Sequence, residues 1–105
     1  MPTPAENILQ AAKQLSDAVR LQMTLEKEKA PLRLAAISRI VSAGDNPLTG
    51  KPHSFSSAEA VVHTDADYDA HLSKIIDATC DKLLAVGAYD AAIAEAHIGR
   101  SIKND

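Results

Sequence analysis

The sequence has one cysteine, no tryptophan, three aromatic residues and four glycines among its 105 residues. A single cysteine excludes an intramolecular disulfide framework. No apolar run approaches the roughly 20 residues that cross a bilayer, which excludes a transmembrane helix. The opening Met-Pro-Thr-Pro has neither a charged leader nor an apolar segment. We therefore expect a cytoplasmic protein with no membrane segment.

Alanine, leucine and isoleucine supply most of the 46% hydrophobic residues. This composition favours helices, and the length fits one core. We predict a single helical domain spanning residues 1–105.

The charge is unevenly distributed around a net value of −3. Residues 1–58 carry seven basic and five acidic side chains, a balance of +2, whereas residues 59–95 carry two basic and eight acidic ones, a balance of −6. The interpretation that we prefer is mild attraction between two packed halves, because Glu26 and Glu28 interrupt the basic region. The alternative is a nucleic-acid-binding strip made of Lys27, Lys29, Arg33 and Arg39.

The first long helix is predicted over about 4–43. Thr3, Pro4 and Glu6 form a capping-box start, and Gly44 is suited to the residue after a helix end. The apolar stripe stays in phase across Pro31, so we predict one helix kinked at that proline rather than two helices. The stripe comprises Ile8, Ala12, Leu15, Val19, Met23, Ala30, Leu34, Ile37 and Val41.

The second half of the sequence predicts a loop over 44–56, a short helix over about 57–63 and a long helix over about 65–102. Capping signatures begin at Ser56 and at Thr64. Gly87 can bend or break the last helix. Its apolar stripe, which we expect to be the contact face, comprises Leu72, Ile76, Cys80, Leu83, Gly87, Ala91, Ala94, Ile98 and Ile102.

Two long helices and a loop predict an all-α antiparallel hairpin. One opposing helix covers only one stripe, yet the first helix has a second apolar series, formed by Leu9, Leu21, Leu25, Leu32, Ala36 and Ile40. This surplus predicts self-association of two hairpins into a four-helix bundle of coiled-coil type, a homodimer or larger. The alternative is a compact monomeric bundle with corners at Pro31 and Gly87.

The stretch AGDNPLTGKPH, residues 43–53, is similar to a phosphate-binding loop but lacks its chemistry. Five residues rather than four separate Gly44 from Gly50, Pro52 stands where a hydroxyl is required, and a helix precedes the stretch. We therefore predict no nucleotide site and no cofactor. Cys80 lies within an apolar stripe, which favours a buried, inert thiol over a nucleophile.

One constellation has metal-ligand chemistry. Four potential ligands recur at intervals of four and would share a face of one unbroken helix: Glu59, His63, Asp67 and His71. However, Thr64 and Asp65 predict a helix break inside the set. We prefer a solvated polar face, and keep a metal-dependent bundle enzyme using His63, Asp67 and His71 as the alternative.

The block NPLTGKPHSFSSAEAVV, followed by TDADY, resembles small phage or prophage-type helical proteins that have such a loop between two long helices. The resemblance implies an accessory role, beside DNA-handling partners, and assigns no residue a function. From the residues themselves we predict a non-enzymatic, self-associating structural or adaptor module. Its central loop is the expected protein-contact site, through Lys51, His53 and Phe55.

Overall fold

The computed structural model describes the backbone of residues 2–104 and the side chains of residues 2–99. That part of the chain contains helices and no β-strand, and its two long helices contact each other. The all-α helical hairpin predicted from the sequence is confirmed. In chain order the elements are α1 (Pro4–Ser42), α2 (Phe55–Ala60), a 3₁₀ turn (Val62–Thr64) and α3 (Ala66–Asn104).

Both long helices continue through the one residue at which the sequence suggested that each could break. α1 contains Pro31 in its interior, and α3 contains Gly87. The in-phase apolar stripe thus identified one helix across Pro31 correctly. The alternative fold with corners at Pro31 and Gly87 is wrong, because neither residue ends its helix.

The helix starts follow local capping chemistry. The Thr3 hydroxyl accepts the Glu6 N–H at 3.1 Å, as the sequence predicts for α1. α2 begins two residues earlier than expected because Ser54, rather than Ser56, caps it and accepts the Ser57 N–H at 3.1 Å.

The start of α3 is also shifted relative to the sequence prediction. The Thr64 hydroxyl donates to the Val61 carbonyl at 2.7 Å and so does not cap α3. Asp65 takes that role, since its Oδ1 accepts the Tyr68 N–H at 2.9 Å. The extended backbone of Asp65 separates the 3₁₀ turn from α3.

The chain divides into two compact units, and the boundary lies within both long helices. The central unit, Thr24–Ile76, includes the loop and α2. Within it α1 and α3 run antiparallel, because Leu25 meets His71 and Arg39 meets Asp65. Its core consists of Ala36, Ile37, Ala58, Val62 and Tyr68, with Ile40 and Leu72 packed against them.

The terminal unit combines the described residues up to Met23 with those from Asp77 onward. Its helices are joined by a hydrogen bond from Gln22 Nε2 to Thr79 Oγ1 at 3.1 Å. Its buried apolar residues are both alanines, Ala11 and Ala78. Among the described residues of the whole chain no large side chain is fully buried. The hydrophobic core is therefore small for a chain that is nearly half apolar.

Candidate interaction surface

The covered face of α3 is not the apolar stripe that the sequence favoured. One set of its buried and half-buried positions recurs at spacings of three and four, the repeat typical of a coiled-coil seam. They are Tyr68, His71 and Ile75 in the central unit and Ala78, Lys82, Ala85, Tyr89, Ala92 and Ala96 in the terminal unit; Leu72, Thr79, Ile93 and Gly99 are half-buried as well. Small alanine side chains let two helices approach closely, and Lys82 can extend its charged end from the seam into water. In the terminal unit the seam of α3 is thus mostly alanine, and Leu83 and Leu84 lie outside it.

The more apolar stripe of α3 is exposed within the terminal unit. We define the outer face of α3 as Cys80, Leu84, Gly87, Ala91, Ala94 and Ile98, all of which are exposed. Leu84 is 73% exposed and Ile98 60%. Leu83 lies beside this face and is 62% exposed. Gly87, Ala91 and Ala94, which were expected on the contact face, are thus not covered by the chain's own helices.

The division of apolar residues on α1 also differs from the prediction. In its second half, Ala36, Ile37 and Ile40 are buried or half-buried, although two of them were assigned to the surplus series. Leu34 and Val41, assigned to the contact stripe, are exposed. The surplus of apolar surface on α1 is real, but it is distributed differently.

Cys80 shows the same difference on α3. The sequence predicted a buried thiol, whereas Cys80 is exposed. It belongs to the outer face of α3, so its stripe is apolar but uncovered. The prediction of burial was wrong because an apolar stripe need not be the stripe that the hairpin covers.

The central loop is tightly hydrogen-bonded around Asn46. The Asn46 N–H donates to the Lys51 carbonyl at 2.8 Å, and the Asn46 carbonyl accepts the Gly50 N–H at 2.8 Å. The Asn46 side chain accepts the Leu48 N–H at 3.0 Å. Gly50 has a φ of +66°, a conformation that glycine adopts without strain. The loop therefore has a defined turn at which Leu48 is 92% exposed.

The three loop residues predicted to contact a partner have different environments. Lys51 and Phe55 are exposed, and their contact role stays a prediction. His53 is half-buried, and its Nδ1 lies 3.0 Å from Ser57 Oγ. Because the Ser57 hydroxyl donates to the Ser54 carbonyl, His53 Nδ1 is the donor. His53 thus supports the start of α2, and Leu48 is the contact candidate that the sequence did not reveal.

The four candidate metal ligands lie on three elements. Glu59 is in α2 and forms an ion pair with Arg33 at 3.0 Å, and His63 is in the 3₁₀ turn. His71 is buried in α3, and its Nε2 donates to the Leu25 carbonyl at 2.8 Å. Asp67 is exposed in the first turn of α3. Over the described residues, no three metal-ligating side chains converge.

The candidate nucleic-acid strip is partly engaged by carboxylates of the same unit. Arg33 pairs with Glu59, and Arg39 pairs with Asp65. Lys27 and Lys29 are exposed. Two of the four basic side chains therefore already have acidic partners, which lowers the positive potential that a phosphate backbone would meet.

The fold and its surfaces define a class: an all-α helical hairpin with a small core and uncovered apolar faces. Within the described residues, no helix has the length and apolar character required to span a membrane. Comparisons with protein-family models, with curated proteins and with solved structures found no match. The resemblance to phage-type helical proteins stays a prediction.

Proposed function

We propose that this protein is a non-enzymatic structural or adaptor module that associates with copies of itself. The observation that carries the proposal is the outer face of α3, where Leu84 and Ile98 are exposed while Ala78, Ala85, Ala92 and Ala96 of the same helix are covered. Exposed apolar residues that form a continuous helix face mark interaction sites. Pairing of two hairpins into a four-helix assembly is the arrangement that covers this face with a second copy.

The magnitudes favour reversible rather than permanent association. Full burial of a leucine or isoleucine side chain stabilises by about 1.5–3 kcal/mol. Covering Leu83, Leu84 and Ile98 in both copies contributes on the order of 10 kcal/mol. Association itself costs about 4–15 kcal/mol in lost freedom and ordering. We therefore expect a dimer that dissociates on dilution.

The central loop supports the adaptor part of the proposal. Its hydrogen bonds hold the turn in one conformation, so Leu48 is presented without a large ordering cost on binding. Lys51 and Phe55 add a charge and an aromatic side chain to the same segment. A dimer carries two such loops, which increases the apparent affinity for any partner that also has two sites.

The alternative functions have less support. A metal-dependent enzyme requires His63, Asp67 and His71 around one ion, yet His71 is buried with Nε2 engaged by Leu25. Nucleic-acid binding through α1 requires Arg33 and Arg39 to leave their carboxylate partners.

The test is molar mass by light scattering during size-exclusion chromatography. The unmodified chain and Leu21→Asp, an exposed leucine on α1, should give the same concentration-dependent mass. Leu84→Asp should elute as a monomer with unchanged helicity. A strictly monomeric unmodified chain, or a Leu84→Asp variant that still associates, would contradict the proposal.

A further inference from the structure

The spacing on the outer face of α3 is symmetric about its centre. From Cys80 to Ile98 the positions are separated by four, three, four, three and four residues. The sequence of intervals is the same when read in either direction. When a second copy of α3 packs antiparallel on this face, each outer-face residue therefore lies opposite an outer-face residue of the other copy. Each such facing pair forms one layer of the contact, and the layers are of three kinds. The layers are Leu84 with Ala94, Gly87 with Ala91 and Cys80 with Ile98.

The side-chain sizes are complementary in this register. In two of the three layers a larger side chain faces a smaller one: Leu84 faces Ala94, and Ile98 faces Cys80. The central layer contains Gly87 and Ala91, which permit close approach. A parallel pair would instead place Leu84 against Leu84 and Gly87 against Gly87. The two leucines would hold the helices apart, and a cavity would remain between the two glycines. Alternation of large and small residues across facing positions packs helices densely.

We propose that the second copy docks on α3 in this antiparallel, two-fold arrangement, with Cys80 of each copy beside Ile98 of the other. The inference rests on the proposed self-association and adds its register. It also places Gly87 at the closest approach of the two helices. Apart from its chain neighbours and the nearby backbone of its own helix, no atom of the described residues lies within 4 Å of the place that a side-chain Cβ would take at position 87, so the fold of the hairpin does not require glycine there.

The extent of the face sets the strength of the contact. From Cys80 to Ile98 the helix is about 27 Å long, and one face of it supplies about half of the 20–30 residues per partner of a standard interface. Such an interface lies at the small end of the specific range. The expected dimer is therefore weak, with dissociation in the micromolar range or above.

The charges beside the outer face of α3 give the arrangement a distinct salt dependence. In this register Asp81 lies near Glu95 of the second copy, and Asp90 lies near Asp90 of the second copy. Like charges across helices disfavour association modestly. Added salt should therefore strengthen the dimer, and Asp90→Asn should tighten it on the order of twofold.

The decisive experiment uses Cys80 with the variant Ile98→Cys and a short bismaleimide. The expected product is a dimer linked between positions 80 and 98, identified by mass spectrometry of its peptides. The unmodified chain, and the double variant Cys80→Ser with Ile98→Cys, should give little cross-linked dimer. Helicity and sedimentation are measured on every variant.

The outcomes separate the register from the self-association on which it rests. An unmodified chain that sediments as a monomer at all concentrations overturns both. A dimer that cross-links through Cys80 to Cys80, or through position 98 to position 98, keeps self-association and overturns the antiparallel register. A dimer with no cross-link in Ile98→Cys overturns the register as well, provided that this variant still associates.

Discussion

Arg39 holds Asp65 through two parallel hydrogen bonds of 2.8 Å, from Nε to Oδ2 and from Nη2 to Oδ1. Asp65 also caps α3 by accepting the Tyr68 N–H. One carboxylate thus connects α1 to the start of α3 within the central unit. The Arg39 guanidinium first, and the Tyr68 N–H second, lower the pKa of Asp65 from about 3.8 to about 2.

Asp65→Asn should remove a pH-dependent part of the stability. A lowered pKa in the folded state means that ionised Asp65 stabilises the fold above its unfolded pKa. That contribution is lost as pH falls from about 4 to about 2. We expect the variant to melt below the unmodified chain at pH 7, with the difference shrinking across this window in thermal unfolding followed by circular dichroism.

Asp67→Asn is the matched control for this experiment. Asp67 is close to the same guanidinium, but its Oδ2 is 4.0 Å from Arg39 Nη2 and its side chain is 87% exposed. Exposed pairs at such distances contribute little. The control should melt like the unmodified chain at every pH, and an equal loss in both variants would contradict the role of Asp65.

Ile37→Ala should destabilise the central unit by about 2–4 kcal/mol, because it leaves a cavity in the core beside Val62 and Tyr68. Val41→Ala, four residues along α1 and exposed, should cost less than about 1 kcal/mol. Urea unfolding at fixed protein concentration compares the two. Similar costs would mean that the covered face of α1 is assigned incorrectly.

Pro31→Ala should raise stability, by up to about 3 kcal/mol. The proline lies inside α1 and lacks the N–H that would bond to the Lys27 carbonyl, and alanine restores this donor. Pro47→Ala in the loop, outside any helix, is the comparison and should not raise it. A loss of stability in Pro31→Ala would indicate that the proline conformation is required.

Gly87→Ala and Gly87→Leu should separate helix stability from association. Alanine should stabilise α3 by about 0.5–1 kcal/mol, since open space surrounds position 87. Leucine should keep the helix but prevent the close approach of two copies. Unfolding measured at low concentration and sedimentation at high concentration test these two effects. Unchanged association in Gly87→Leu would contradict the proposed contact.

Leu48→Ser should leave stability within about 0.5 kcal/mol, because the leucine is almost fully exposed. Asn46→Ala should destabilise the loop by about 1 kcal/mol, because the Leu48 N–H loses its acceptor. The comparison by thermal unfolding distinguishes a binding residue from a structural one. A large loss in Leu48→Ser would assign Leu48 to the core instead.

The hairpin could be predicted because its signals are local and periodic. The apolar residues keep the helical repeat on both sides of Pro31, and α1 is continuous there. Thr3 caps α1 at the position that the sequence predicted. The other two caps were misplaced because several neighbouring residues have equivalent capping side chains. Ser54 competes with Ser56, and Asp65 competes with Thr64.

The candidate surface could not be predicted to the same degree. Hydrophobicity ranks the stripe with Leu84 and Ile98 above the alanine-rich seam, whereas the hairpin covers the seam. Close approach of two helices depends on small side chains, and a ranking by hydrophobicity does not measure it. The exposure of Leu48 depends on the hydrogen bonds of Asn46, which the sequence showed only as a turn.

The thiol of Cys80 provides the most direct measurement of the central claim, that the hairpin leaves the outer face of α3 for a second copy. Its rate of reaction with an aromatic disulfide reagent is measured at fixed pH over a range of protein concentrations. The account predicts fast reaction in dilute solution and progressive protection as the molar mass rises. A thiol that is protected even at the lowest concentration, or whose rate never changes while the mass doubles, would contradict it.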